Sequence, residues 1–228
     1  MPAVRLSLVA TLLVACASSP GPADDEATGE EPTSGDEGHA SAADPEPLAA
    51  DDALIALGLP DPRMSERSQG FRAAWAVALT ELALTPPEAP ADPEGWEAWT
   101  RGPVGEWFEQ RRLAGAATNE AFNEVADEPM PEPLMAASVL GLVSLDTGQA
   151  VLGLAPTDEQ VGDPETAEML RGPTQGSGDA FFGIAQTRFE YCARSAADLR
   201  IVSWSSWCAA RRDEVMRVRA ELTETPGG

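Results

Sequence analysis

The chain has 228 residues, 43% of them hydrophobic, with 38 acidic side chains against 15 basic ones and a net charge of −23. Every basic residue is an arginine, the one histidine is His39, and the cysteines are Cys16, Cys192 and Cys208. These counts exclude a two-histidine zinc helix and zinc sites made of four cysteines or of two cysteines and two histidines within one chain. The acidic excess argues against nucleic acid, whose phosphates call for clustered cations.

The N-terminus reads as a targeting segment. Arg5 supplies the positive charge, an apolar run follows from Leu6 to Val14, and Leu13-Val14-Ala15-Cys16 ends it. A run this short does not persist as a bilayer-spanning helix. The last four residues resemble the bacterial lipobox, in which the cysteine thiol takes a diacylglycerol and the peptide before it is removed. Residues 1–15 are then a lipoprotein signal peptide and Cys16 the lipid attachment site, the covalent diacylglycerol/N-acyl lipid being the only attached group expected. Two or three acyl chains give a durable anchor where one does not. The alternative is an ordinary secretory signal with Cys16 incidental. Ala17, not an Asp, follows the cysteine. By resemblance to Gram-negative lipoproteins this implies a bacterial cell envelope location in the outer membrane, on either side of it.

Residues 16–50 follow as a linker. From 17 to 50 there are nine acidic residues, no basic ones and almost no bulky apolar side chain. Such a segment cannot bury enough surface to offset its ordering entropy, so a disordered, self-repelling acidic tether is expected. Asp24, Asp25, Glu26, Glu30 and Glu31 offer a weak cation-binding alternative, without the ligand alternation of a calcium loop. His39 is expected to be solvated.

Residues 51–222 are long enough for one domain with a core, followed by a flexible tail at 223–228. The pattern is all-α. Asp61-Pro62, Asp92-Pro93 and Asp163-Pro164 each read as an N-cap aspartate before a first-turn proline. Phe71, Ala74, Trp75, Ala78 and Leu82 recur at helical spacing until Thr85-Pro86-Pro87. A short Trp96/Trp99 segment precedes a break at Arg101-Gly102-Pro103, and a longer helix carries Val104, Trp107, Phe108, Phe122 and Val125. No sustained alternation suggests strands.

Residues 134–155 are long and apolar enough for a membrane span, but Asp146, Thr147 and Gln149 lie inside and Pro156 closes them. Ala137, Gly141, Ser144 and Gly148 form a small-residue stripe that admits a close helix neighbour. The internal Asp and Gln favour a buried central helix over a dimerising span. Asp92-Pro93-Glu94 with Arg101-Gly102-Pro103 is echoed by Asp163-Pro164-Glu165 with Arg171-Gly172-Pro173; chance reuse of a helix-break-helix phrase is the simpler account.

Outside the cytoplasm disulfides persist, and with Cys16 assigned to lipid, Cys192 and Cys208 remain. Phe181, Ala185, Phe189, Cys192 and Ala196 share one helical face. Ser203 offers an N-cap to a second helix with Trp204, Cys208, Val215, Val218 and Leu222. An antiparallel hairpin joined through residues 197–202 sets the two cysteines opposite each other, and closing that loop should contribute about 3 kcal/mol. The alternative is a pair of buried thiols.

Pro133-Leu134-Met135-Ala136-Ala137, Asp163-Pro164-Glu165, Phe189-Glu190-Tyr191-Cys192-Ala193 and Trp204-Ser205-Ser206-Trp207-Cys208 together resemble the C-terminal helical module of tetratricopeptide-type envelope lipoproteins of myxobacteria and related bacteria, over residues 95–220. The resemblance implies a tetratricopeptide-like, disulfide-stapled helical hairpin array in the envelope, sometimes beside motility or secretion machinery. The chain departs from that pattern at residues 171–178, where two glycines beyond Gly172 and Pro173 should break or kink a helix.

Function is read mainly by elimination. A Ser-His or Cys-His site would have to use His39 in the tether, and no phosphate loop is present. Acid pairs for hydrolysis are always available among 38 carboxylates, so a carboxylate-dependent hydrolase stands as a minor alternative. The expectation is a non-catalytic, lipid-anchored helical domain that contacts the membrane through its lipid and serves an unknown envelope protein as an interaction or scaffold module. A purely structural or stress-related lipoprotein is the other alternative. Trp96, Trp99, Trp107 and Trp204 are the candidate interaction surface, since aromatics dominate interface hot spots; filling the core is the competing use. Arg211, Arg212, Arg217 and Arg219 either face an acidic partner or pair with Asp213, Glu214 and Glu221.

Overall fold

The computed structural model describes residues 47–61, 63–91 and 93–224, and among them no strand occurs. The signal peptide, Cys16, His39 and the acidic tether up to residue 46 lie outside the described residues. The helices are α1 (Pro47–Ala56), α2 (Gln69–Leu82), α3 (Pro93–Trp99), α4 (Gly105–Val125), α5 (Glu132–Leu152), α6 (Asp158–Val161), α7 (Pro164–Asp198) and α8 (Val202–Glu224). Helix thus begins before residue 51 and continues past 222, beyond both expected domain bounds.

Local chemistry explains where these helices start. Asp163 caps α7 as expected, its carboxylate accepting the Thr166 N–H at 2.9 Å; the Thr166 hydroxyl, donating to the same oxygen at 2.6 Å, and then that N–H hold its pKa below the usual range. Asp61 does not cap α2. Ser68 does, accepting the Phe71 N–H at 2.9 Å, while Asp61 takes Arg63 Nε at 3.0 Å and Arg67 Nη2 at 3.3 Å across a 3₁₀ turn at Met64–Glu66. Two arginines within six residues offer a charged carboxylate more than one backbone N–H does. Asp92 lies outside the described residues.

The expected break at Arg101-Gly102-Pro103 is a π turn, Thr100–Val104, that runs directly from α3 into α4. The wider turn accommodates Pro103, which cannot donate to the ladder. The expected break at residues 171–178 is absent: α7 continues through Pro173 for 35 residues. Its breakers cost little here because Met169, whose carbonyl loses the proline's N–H, is 52% exposed, and a Cβ at Gly172 or Gly176 would meet nothing within 4 Å. Gly178 is different: its Cβ would come within 2.8 Å of Leu152 Cδ2.

The long helices alternate direction. The start of α2 meets the end of α4 through Phe71 and Phe122, ring centroids 5.7 Å apart. Trp107 at the start of α4 donates to Leu84 O just beyond α2, at 3.2 Å. α5 lies at the centre between α4 and α7. Of its most apolar window 78% is buried inside this domain, so the segment that could by length cross a bilayer packs as a core helix. Its small-residue stripe faces phenylalanine rings: a Cβ at Gly141 would sit 2.8 Å from Phe189 Cε1, and one at Gly148 2.7 Å from Phe182 Cε1. Most of the core is continuous from Leu54 in α1 to Val215 in α8. A second cluster gathers Trp96, Trp99, Val104 and Trp107 against Val151 and Leu154.

Candidate functional site

α7 and α8 form the expected hairpin, closed by a Cys192–Cys208 disulfide with Cα atoms 5.9 Å apart. Both cysteines are fully buried. Ser138 of α5 donates its hydroxyl proton to Leu134 O at 2.8 Å and places the same oxygen 3.3 Å from Cys192 Sγ and 3.6 Å from Cys208 Sγ. The staple is therefore pressed against the central helix. Farther along the hairpin, Arg219 grips Asp179 at 2.6 and 3.0 Å and Gln186 at 2.8 Å, and the Arg219 hydrogen bond holds the Asp179 carboxyl below its usual range.

The hairpin connection is tighter than expected. α8 starts at Val202, so Ser203 lies inside its first turn and is not the cap. Arg200 takes a left-handed conformation, φ 59°, with Arg200 N–H bonded to Ala197 O at 2.9 Å and Ile201 N–H to Ala196 O at 2.8 Å. This pair of bonds is the Schellman C-cap, at a position glycine normally fills.

All four tryptophans expected at an interaction surface are in the core: Trp96 and Trp99 are 8% exposed, Trp107 4% and Trp204 3%. That expectation is corrected for these residues. Trp96 and Trp99 pack on each other with centroids 4.7 Å apart, and Trp204 lies against Trp207 at 6.0 Å. Their large apolar area fills space between the helices. The basic group of α8 pairs mostly within its own helix, Arg211 with Glu214, Arg212 with Asp213 and Arg217 with Glu221, while Arg219 crosses to α7.

One polar cluster came with no motif to announce it. Glu81 of α2, 4% exposed, and Arg111 of α4, 5% exposed, lie between α2, α4 and α5. Arg111 Nη2 holds Asp146 Oδ2 at 2.7 Å and its Nη1 approaches Thr147 Oγ1 at 3.4 Å, with the guanidinium 5.7 Å from the Trp107 ring. Burial pushes the Glu81 carboxyl above its usual range; the neighbouring Thr118 hydroxyl and the Arg111 charge oppose this, and the Asp146 charge adds to it. Glu81 Oε2, Thr118 Oγ1, Arg111 Nε and Trp75 Nε1 are buried without a hydrogen-bond partner, so the Thr118 hydroxyl approaches the carboxyl outside good bonding geometry. Two acids and an arginine could in principle move a proton, but Glu81 is closed off from any substrate. Sequence signals for it existed: Glu81 continues the apolar face of Ala74 and Ala78, and Asp146 interrupts the apolar α5.

A shallow depression of about 590 Å³ lies elsewhere, lined by Ala155, Pro156, Thr157, Asp158, Glu159 and Arg171. Arg171 closes it by binding both Asp158 and the Pro156 carbonyl. Among the described residues no group of three His, Cys, Asp or Glu is placed to hold a metal ion. Comparison with family models, with curated proteins and with solved structures finds no match for this chain.

Proposed function

We propose that this chain is a non-catalytic, lipid-anchored scaffold domain of a bacterial cell envelope, held to the outer membrane through Cys16 and a long acidic tether. The observation that carries the reading is the buried Cys192–Cys208 disulfide. Such bonds form and last in oxidising compartments, which is where the Leu13-Val14-Ala15-Cys16 segment would deliver the domain. The tetratricopeptide-like hairpin array belongs to the same reading and rests on the motif resemblance and the sequential antiparallel helices. With its tryptophans buried, the domain acts as a stiff body whose outer surface carries any contact, and the structural alternative gains weight over a tryptophan-centred adaptor. The carboxylate hydrolase loses support, because the acid with a raised pKa is enclosed.

The test is fractionation of the full chain in a lipoprotein-processing bacterium, with alkylation of thiols in denaturant before and after reduction. The chain should enter the membrane fraction with its mature N-terminus at an acylated Cys16, Cys16→Ala should leave it, and Cys192 and Cys208 should react only after reduction. Membrane retention of Cys16→Ala refutes the anchor; alkylation without reduction refutes the compartment.

A further inference from the structure

The end of the α7–α8 hairpin differs from the rest of the surface. Val202 is 73% exposed, the highest value among the exposed large apolar side chains, and Leu199 is 47% exposed three residues earlier. Tyr191, also 46% exposed, lies about two turns below on α7. Residues 191–207 contain Arg194 and Arg200 against a single acid, Asp198. That is a local positive excess in a chain whose net charge is −23.

Arg211, Arg212, Arg217 and Arg219 of α8 each hold a carboxylate, whereas Arg194 of α7 and Arg200 of the connection are exposed and, like Arg72 and Arg188, make no ion pair among the described residues. Arg200 also occupies a left-handed position where glycine would fit without strain. A strained non-glycine residue with an unpaired, solvent-facing charge points to use of its side chain. The connection is already ordered by Arg200 N–H to Ala197 O and Ile201 N–H to Ala196 O, and the disulfide ties the two helices just behind it. Binding through such a tip would order little further chain.

We infer that this hairpin tip is a contact site for an anionic lipid surface, with Leu199 and Val202 entering the headgroup boundary and Arg194 and Arg200 meeting lipid phosphates. Charge complementarity selects the occupant. Phosphate-rich headgroups attract the arginines and accept shallow apolar side chains, while Asp198 limits the strength to that of a secondary contact. The inference rests on the membrane-anchored reading only in that the lipid on Cys16 would keep the tip near a bilayer.

The experiment is co-sedimentation of the full chain with vesicles of phosphatidylglycerol and phosphatidylethanolamine in equal parts, and with vesicles of phosphatidylcholine alone. Residues 1–16 are common to all variants, so differences between variants report the tip. Arg194→Gln and Arg200→Gln should each lower partitioning into the anionic vesicles about fivefold, with no effect on the neutral ones. Leu199→Ser with Val202→Ser should lower it by a similar factor while leaving the melting temperature unchanged, since both residues are exposed. Equal partitioning of all variants overturns the inference. A photoreactive residue at position 202 in bacterial membranes should yield lipid adducts; a protein adduct in their place overturns it in favour of an acidic protein partner. Release of Cys16→Ala from membranes together with inert tip variants would refute the tip and leave the anchor standing, whereas tip dependence with Cys16→Ala retained in membranes would refute the anchor alone.

Discussion

The α5–α7–α8 half and the α2–α4 half of the domain fill their interiors in opposite ways. In the first, glycine notches take phenylalanine rings and a covalent bond closes the hairpin. In the second, Glu81, Arg111 and Thr118 are buried with unpartnered atoms among them. Steric fit is intolerant of added volume, because a close-packed interior has nowhere to put it. A partly satisfied polar cluster tolerates change, and losing its charge can help. The teaching is that one domain can be brittle on one side and improvable on the other.

Substitutions that separate the two behaviours can be ranked. Replacing both Cys192 and Cys208 with Ala should cost most, about 3 kcal/mol in the chain-entropy account, seen in chemical denaturation; an unchanged midpoint would mean the hairpin holds without its staple. Gly148→Ala should cost about 2 kcal/mol, since its Cβ would lie 2.7 Å from a buried Phe182 ring carbon. Gly172→Ala, in open space on the same side of the molecule, should gain about 1 kcal/mol. If both glycines behaved alike, ring packing would not be what distinguishes them.

On the polar side, Glu81→Gln should raise stability at neutral pH by about 1 kcal/mol. The native fold prefers Glu81 protonated because burial raises its pKa. Its contribution is therefore fully present below the ordinary glutamate range and is lost as pH rises through the elevated value. Thermal melts across that range should show a falling component in the natural chain that the Gln variant lacks; identical slopes would remove Glu81 from the account. The smallest effect is expected at Arg200→Gly, a gain of no more than about 1 kcal/mol from relief of the left-handed strain.

Features set by neighbours in sequence were readable, and those set by distant helices were not. Asp163-Pro164 capped α7 because the cap needs only Thr166, three residues on. The hairpin and its disulfide followed from two apolar faces and a short connection. Pro173 misled because its cost depends on which side of α7 meets water, a tertiary fact. Asp61 misled because Arg67 is turned inward to Met135 Sδ, at 3.2 Å, by the packing of α5. The tryptophans could not be assigned to core or surface by helical spacing, since an amphipathic pattern also allows an aromatic at a partner face.

The contact between Ser138 and the two sulfurs has a kinetic meaning. A thiolate must approach a disulfide sulfur directly to exchange with it, and here the cysteines are wholly buried with the Ser138 hydroxyl 3.3 Å from one sulfur. Attack must wait until α7 and α8 separate from α5. At high reductant concentration the cleavage rate should therefore stop rising and level off at the rate of that opening. The bond then serves as a built-in clock for how often the centre of the domain comes apart.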